Sequence, residues 1–333
     1  MTRKIRHCPY PFTLFEVTTR TLQSRLLLTP SSDLNEIILG ILGRALFMYP
    51  DVQLHCFVFL SNHYHLLLST PDTQQLSRFV GYLNANLAKE AGRLAEWKEK
   101  LWSRRFQAIP VLDSSKLFER IRYILEHGAK ENLVASPEDW PGVHCIHALT
   151  KGEKLCGIWF DRSAEFKARR KKQPFDKYEF STSYEVPLSP FPGWEKMPES
   201  NRQHKLREMV DEINEQTQAR LAREGKQPLG AQEVTLQGPH QRPNETKKSP
   251  APLCHTSIGR IRESFREAYR TFVGKYRDAV ERIQLGEREV CFPPPSFPPG
   301  IAYVAWPALE FAEYTASRMR EPFPYAIGFG SDS

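Results

Sequence analysis

From Val52 to Leu68 the chain is an almost unbroken run of β-branched, aromatic and aliphatic residues, interrupted near its end by Asn62-His63-Tyr64-His65. A run of this composition predicts buried strand, and it reads as a strand pair over 52–69. Residues two apart on a strand share a face. His63 and His65 therefore stand side by side, while Tyr64, Leu66 and Leu68 turn the other way into a core. Two neutral imidazoles on a rigid strand are half of a divalent-metal site. The other half has to come from elsewhere in the chain.

Residues 114–128 (SSKLFERIRYILEHG) can supply it. Leu117, Ile121, Ile124 and Leu125 recur at three- and four-residue spacing, which predicts an amphipathic helix. Asp113, Ser114 or Ser115 can cap its start, and Gly128 predicts its stop. Tyr123 and His127 are four apart and so lie on one helical face. Packed across the strand of His63 and His65, this helix offers a third imidazole to a metal and brings a phenol beside it. A tyrosine next to a divalent cation suits covalent phosphodiester chemistry, with the phenol attacking phosphorus and the cation offsetting the developing charge.

These residues resemble the single-tyrosine HUH transposases, in particular the REP-associated tyrosine transposases and their insertion-sequence-200-like relatives. That family carries Pro-Asn-His-x-His-Leu-Leu-Leu on a central strand and, fifty to sixty residues later, a Tyr-Ile-x-x-Asn-Pro helix with the nucleophile. Here the first mark is Ser61-Asn62-His63-Tyr64-His65-Leu66-Leu67-Leu68 and the second is Tyr123-Ile124-Leu125-Glu126-His127-Gly128. Leu101-Trp102-Ser103-Arg104-Arg105-Phe106 is similar to the family's Trp-x-x-Arg-Phe/Tyr segment. Glu131-Asn132-Leu133-Val134 and Trp140-Pro141 resemble its Ala-Gly-Leu-Val and Trp-Pro stretches. The resemblance covers roughly residues 8–150. Two departures stand out: Ser61 replaces Pro, and His127-Gly128 replaces Asn-Pro. Histidine is the better transition-metal ligand, so the second exchange keeps the role and shifts preference from Mg²⁺ toward Mn²⁺ or Zn²⁺.

The resemblance implies a metal-dependent endonuclease and strand transferase acting on single-stranded DNA near a hairpin. It implies Tyr123 as nucleophile, His63, His65 and His127 as ligands of Mg²⁺ or Mn²⁺, and a 5′-phosphotyrosyl intermediate. Trp102, Arg104, Arg105 and Phe106 are the candidates for contacting the strand, by base stacking and phosphate pairing. Relatives work as monomers or dimers, so a homodimer stays open. Two rival readings remain at this point. One is a domesticated regulator that binds hairpins without cutting. The other is a metal-dependent nuclease in which water attacks and Tyr123 is a bystander.

Other histidines read as structural. His55 shares the parity of His63 and His65 if no bulge intervenes, which would allow it a supporting role at most. His144 and His147 flank Cys145 with no matching pair nearby, and predict a packed helix after Trp140-Pro141. A histidine-triad nucleotide hydrolase would need a further His where Leu67 stands.

The element order along residues 1–150 is β-α-β-β-α-β-α, an α+β, ferredoxin-like (RRM-like) plan. It comprises a strand over 11–19, a helix over 34–49 capped by Asp33, the pair over 52–69, a helix over 73–94, an edge strand over 106–112 and the Tyr123 helix. Helices on one face would leave the other face of the sheet for metal and DNA. Beyond this domain come a basic and helical extension (151–224), a flexible, proline-containing linker (225–256) and a helical C-terminal region (257–333). That region ends in the proline-rich tail Phe292-Pro-Pro-Pro-Ser-Phe-Pro-Pro-Gly300. Its helix carries Arg260, Arg262, Arg266, Arg270 and Arg277, and reads first as core-packing with a solvated face.

A formal charge of +7 and a pI near 9.0 suit a polyanionic partner. Six scattered cysteines without C-x-x-C predict reduced thiols, and no apolar stretch predicts a leader or a membrane span. The expected place of work is the cytoplasm, on the nucleoid.

Overall fold

A computed structural model describes residues 5–172, 174–176, 178–243, 251–287, 289–294 and 296. Its centre is an antiparallel sheet of four strands, β1 (Thr13–Arg20), β2 (Gln53–Leu60), β3 (His63–Thr70) and β4 (Gln107–Pro110), in the order β2-β3-β1-β4. Helix α1 (Ser32–Met48) joins β1 to β2, and α2 (Thr73–Leu94) joins β3 to β4. That connectivity and strand order make the ferredoxin-like α+β plan expected from the element order.

The three long helices of the central domain each start where a side chain accepts an otherwise orphaned backbone N–H. Asp72 accepts from Gln75 at α2, and Asp113 accepts from Lys116 at α3 (Ser114–Lys130). At α1 the cap is Ser31, which accepts from Leu34; Asp33, the expected cap, sits one residue inside the first turn. Helix α3 does not stop at Gly128. It runs two residues further, because Gly128 serves close packing: a Cβ there would lie 3.2 Å from Trp140 Cε3 and 3.3 Å from Val134 Cγ2.

The two faces of the sheet are both covered. Tyr64, fully buried, points toward α2, where its hydroxyl donates to Asn84 Oδ1 at 2.7 Å. On the face of His63 and His65, α3 packs across β2 and β3 as the placing of its histidine requires, and α6 (Glu199–Glu224) packs outside α3. Leu117, Ile121, Ile124 and Leu125, the apolar stripe of α3, are buried by this contact. Burial of a leucine or isoleucine side chain contributes about 1.5–3 kcal/mol, so the stripe fixes α3 on the sheet firmly enough to position its two polar members.

The parity of His55 follows a longer route than the sequence suggests. The two-residue turn Ser61-Asn62 sets Leu60 and Val58 opposite His63 and His65, which inverts parity between the strands. A register shift between Leu54 and Cys56 inverts it again, and His55 Nε2 reaches Ser69 Oγ at 2.8 Å. Its other nitrogen lies 3.2 Å from the Ser189 carbonyl and its ring stacks on Phe191. His55 is thus a packed residue far along the strand from His63. His144 lies before α4 (Ile146–Lys151) and its Nδ1 accepts from the Ile146 N–H.

The extension folds against this centre. Strands β5 (Cys156–Phe160) and β6 (Ser181–Glu185) pair with each other and lie on α1, with α5 (Arg162–Arg170) between them in sequence. Gly40 and Gly157 face each other at that contact, where any Cβ would strike the opposing backbone. Within 225–256, Ala231–Leu236 forms α7 and buries Val234. Helix α8 (Gly259–Gln284) buries Phe265 and Phe272, and Phe265 packs in a small apolar cluster with Leu112 and Cys254. Its five named arginines are exposed. Of the tail 292–300, residues 295 and 297–300 lie outside the described residues, as does 301–333. Among the described residues, no helix is long and apolar enough to cross a membrane.

A candidate metal centre beside a tyrosine

Asn62 closes the turn between β2 and β3. Its amide nitrogen donates to the Ser24 carbonyl at 3.2 Å, which leaves Oδ1 to accept from His63 Nδ1 at 2.5 Å. His63 therefore carries its proton on Nδ1 and presents a lone pair at Nε2. Two residues on, His65 Nδ1 lies 3.0 Å from Glu16 Oε1, a carboxylate brought in by the neighbouring strand β1. The same reasoning leaves His65 Nε2 as the available nitrogen.

The third imidazole comes from α3. His127 Nε2 lies 2.8 Å from His63 Nε2, and its ring centre is 4.9 Å from that of His65. One nitrogen from each of the three histidines falls within 4.8 Å of the others, and all three residues are buried. His127 Nδ1 is buried without a hydrogen-bond partner among the described residues. A buried nitrogen with no partner, three convergent imidazoles and two of them oriented by an amide and a carboxylate fit a transition-type divalent cation.

Tyr123 stands one helical turn before His127. Its ring centre is 4.7 Å from that of His127 and 5.2 Å from that of His65. Arg120 and Lys130 lie over the Tyr123 ring, 4.8 and 5.0 Å from its centre. Arg20, opposite His63 across the sheet, adds a further positive charge to the site.

Burial, then His127 and His65, then Arg20 hold His63 well below the usual imidazole range. Burial, His65, Lys130 and Arg20 do the same to His127, against an opposing pull from Glu16. Both rings are therefore neutral at pH 7, the form that binds metal. Burial and the Glu16 charge push the Tyr123 phenol up to about 12, against Arg120 and Arg20. Burial alone would raise Glu16. Its contacts with His255 and His65 outweigh burial and hold it well below the carboxylate range.

His63, His65, Tyr123 and His127 are thus brought together. The four residues expected to touch a strand differ in their surroundings. Trp102 Nε1 donates to the Asn84 carbonyl at 2.9 Å and the ring packs edge-on against Tyr64. Phe106 carries the Arg6 guanidinium 3.6 Å above its ring centre. Arg104 and Arg105 are exposed, and the adjoining Ser103 N–H donates to the Arg20 carbonyl.

Three participants escaped the sequence reading: Glu16, His255 and Arg120. Glu16 left a trace, being the one acid in the otherwise uncharged strand run TLFEVTT. His255 left none, because only the fold brings it to β4.

Residues 34–127 match the family model described as "Transposase IS200 like", a span that runs from α1 to His127. Among solved structures, a REP-associated tyrosine transposase bound to a REP hairpin is similar. It is 16% identical over 45% of this chain and 87% of its own, with a TM-score of 0.35. A provisionally described transposase from Deinococcus radiodurans R1 is 17% identical over 38% of this chain and 97% of its own, with a TM-score of 0.27. No curated protein matches the chain. The span that matches this family model holds the whole His63–His65–Tyr123–His127 constellation.

Proposed function

We propose that the protein is a metal-dependent, single-tyrosine endonuclease and strand transferase for single-stranded DNA. The observation that carries this reading is the meeting of Tyr123 with three buried, convergent histidines drawn from two elements some sixty residues apart. His63, His65 and His127 would hold Mg²⁺ or Mn²⁺. A cation held there supplies polarisation of the scissile phosphate and lowers the cost of ionising the phenol.

The remaining steps belong to the chain's own groups. Tyr123 Oη attacks phosphorus. The Oη–P bond forms, the P–O3′ bond breaks, and the phenol proton passes to the departing 3′ oxygen. The products are a 5′-phosphotyrosyl fragment and a free 3′-OH. Arg120 and Lys130, stacked on the Tyr123 ring, stabilise negative charge as it develops on the phenol. The phosphotyrosyl ester keeps the energy of the broken bond, so another 3′-OH can reverse the step without a nucleotide cofactor. The substrate is a strand bearing a hairpin, bound along Trp102, Arg104, Arg105 and Phe106, and the place of action is the nucleoid. A homodimer is compatible with this chemistry and is not required by it.

The test is a labelled single-stranded oligonucleotide from DNA flanking the gene, incubated with protein and Mn²⁺ and then boiled in denaturant. A heat-stable protein–DNA band that Tyr123→Phe removes supports the reading. Nicked DNA with no attached protein, persisting in Tyr123→Phe, would favour water as the nucleophile.

A further inference from the structure

The chain after α7 returns to the sheet at one point. The His255 N–H donates to the Pro110 carbonyl at 2.8 Å, and the Leu112 N–H donates to the His255 carbonyl at 2.9 Å. This is a parallel bridge on the outer edge of β4, centred on Val111 and His255. Two residues later the Ser257 N–H donates to Asp113 Oδ2 at 2.7 Å, the carboxylate whose other oxygen caps α3. The segment is therefore pinned to both the sheet and the start of the Tyr123 helix.

Its side chain reaches the candidate metal centre. His255 Nε2 lies 2.8 Å from Glu16 Oε2, while Glu16 Oε1 lies 3.0 Å from His65 Nδ1. The other charged group on Glu16 is Arg120, whose guanidinium is 3.6 Å from Oε2. Glu16 is almost fully buried, and a buried carboxylate turns toward whatever donors it is given. With His255 in place, Oε2 faces its Nε2 at ion-pair distance, off the line of a hydrogen bond, and Oε1 is left for His65. Without it, the strongest donor remaining is Arg120, and rotation toward it would take the carboxylate away from His65.

We infer that His255 is a positioning residue for the proposed metal centre. It holds the Glu16 carboxylate where that group accepts the Nδ1 proton of His65, leaving His65 Nε2 as the nitrogen offered beside His63 and His127. The inference rests on the reading of the three histidines as a metal site. Glu16 lies before the family-matched span 34–127 and His255 far beyond it. The centre in this chain thus draws on a C-terminal segment that the matched span lacks. Partners that orient a ligating imidazole are commonly worth 10–100-fold in metal affinity.

The experiment titrates the full chain with Co²⁺, following the visible absorption band and the Kd for wild type, His255→Ala, His255→Gln and His65→Ala. The edge bonds of residue 255 come from its main chain, so both substitutions at 255 leave them in place. We expect His255→Ala to raise the Kd about tenfold and alter the band. His255→Gln, which keeps an N–H donor at the end of the side chain, should recover most of the affinity. An unchanged Kd and band in His255→Ala, or a weakening that His255→Gln does not relieve, would overturn the inference if His65→Ala abolishes binding. Co²⁺ binding that His65→Ala leaves intact, or none in wild type, would overturn the metal site itself and this inference with it.

Discussion

His63 and His127, 64 residues apart in sequence, bring their Nε2 atoms to 2.8 Å. Because His63 Nδ1–H donates to Asn62 Oδ1, His63 Nε2 is an acceptor and the His127 Nε2–H has to donate to it when no cation is bound. Neither ring can take up a second proton without placing a charge against a neighbouring imidazole in a buried site.

That arrangement sets a pH dependence. Both groups have depressed values in the folded state. Below about pH 6.5, the ordinary imidazole value, the unfolded chain takes up protons that the folded chain refuses. Stability of the metal-free protein is therefore full above that pH. It falls as pH drops through it, by about 1.4 kcal/mol per pH unit for each extra proton bound on unfolding. Thermal unfolding in chelator between pH 8 and pH 5 checks this. At pH 7.5, Mn²⁺ at about 100 times its Kd should add about 2.7 kcal/mol, and the gain should vanish at pH 5.

On the proposed reading, position 127 should set metal preference. His127→Asn restores the residue that the resembled family carries there and replaces a nitrogen donor by an amide oxygen. It should weaken Mn²⁺ and Zn²⁺ binding by roughly tenfold or more, on the scale of the ligand-field ordering, and leave Mg²⁺-supported cleavage less affected. Calorimetric titration with each metal measures the ratio. An equal loss for all three metals would speak against a ligating role.

Gly128 is a packing requirement of α3. Alanine gains about 1 kcal/mol of helix propensity, but its Cβ would press on Trp140, whose indole N–H is tied to the Phe59 carbonyl at 3.0 Å. Overpacking typically costs about 1–3 kcal/mol, so Gly128→Ala should lower stability by about 1 kcal/mol net. Because His127 is adjacent, metal affinity should fall with it. Denaturant unfolding with and without Mn²⁺ separates the two effects.

The sequence displayed the strand carrying His63 and His65, the helix carrying Tyr123 and His127, and the order of elements that makes the sheet, since each is written in local periodicity. Local periodicity does not record what crosses a sheet or returns to its edge. Glu16 reaches His65 through β1–β3 pairing, and His255 reaches Glu16 through a bridge across more than a hundred residues. Gly128 misled for a related reason. As a helix stop it would be a local signal, whereas the structure uses it for contact with Trp140, a residue beyond the helix.

Peptide mapping by mass spectrometry would test the central claim most directly. The full chain is reacted with a hairpin-bearing single-stranded oligonucleotide and Mn²⁺, digested with trypsin and nuclease, and searched for nucleotide-modified peptides. The account predicts a 5′-linked nucleotide on Tyr123 and none in His65→Ala. Cleaved DNA with an unmodified Tyr123 peptide, or an adduct on another residue, would contradict it.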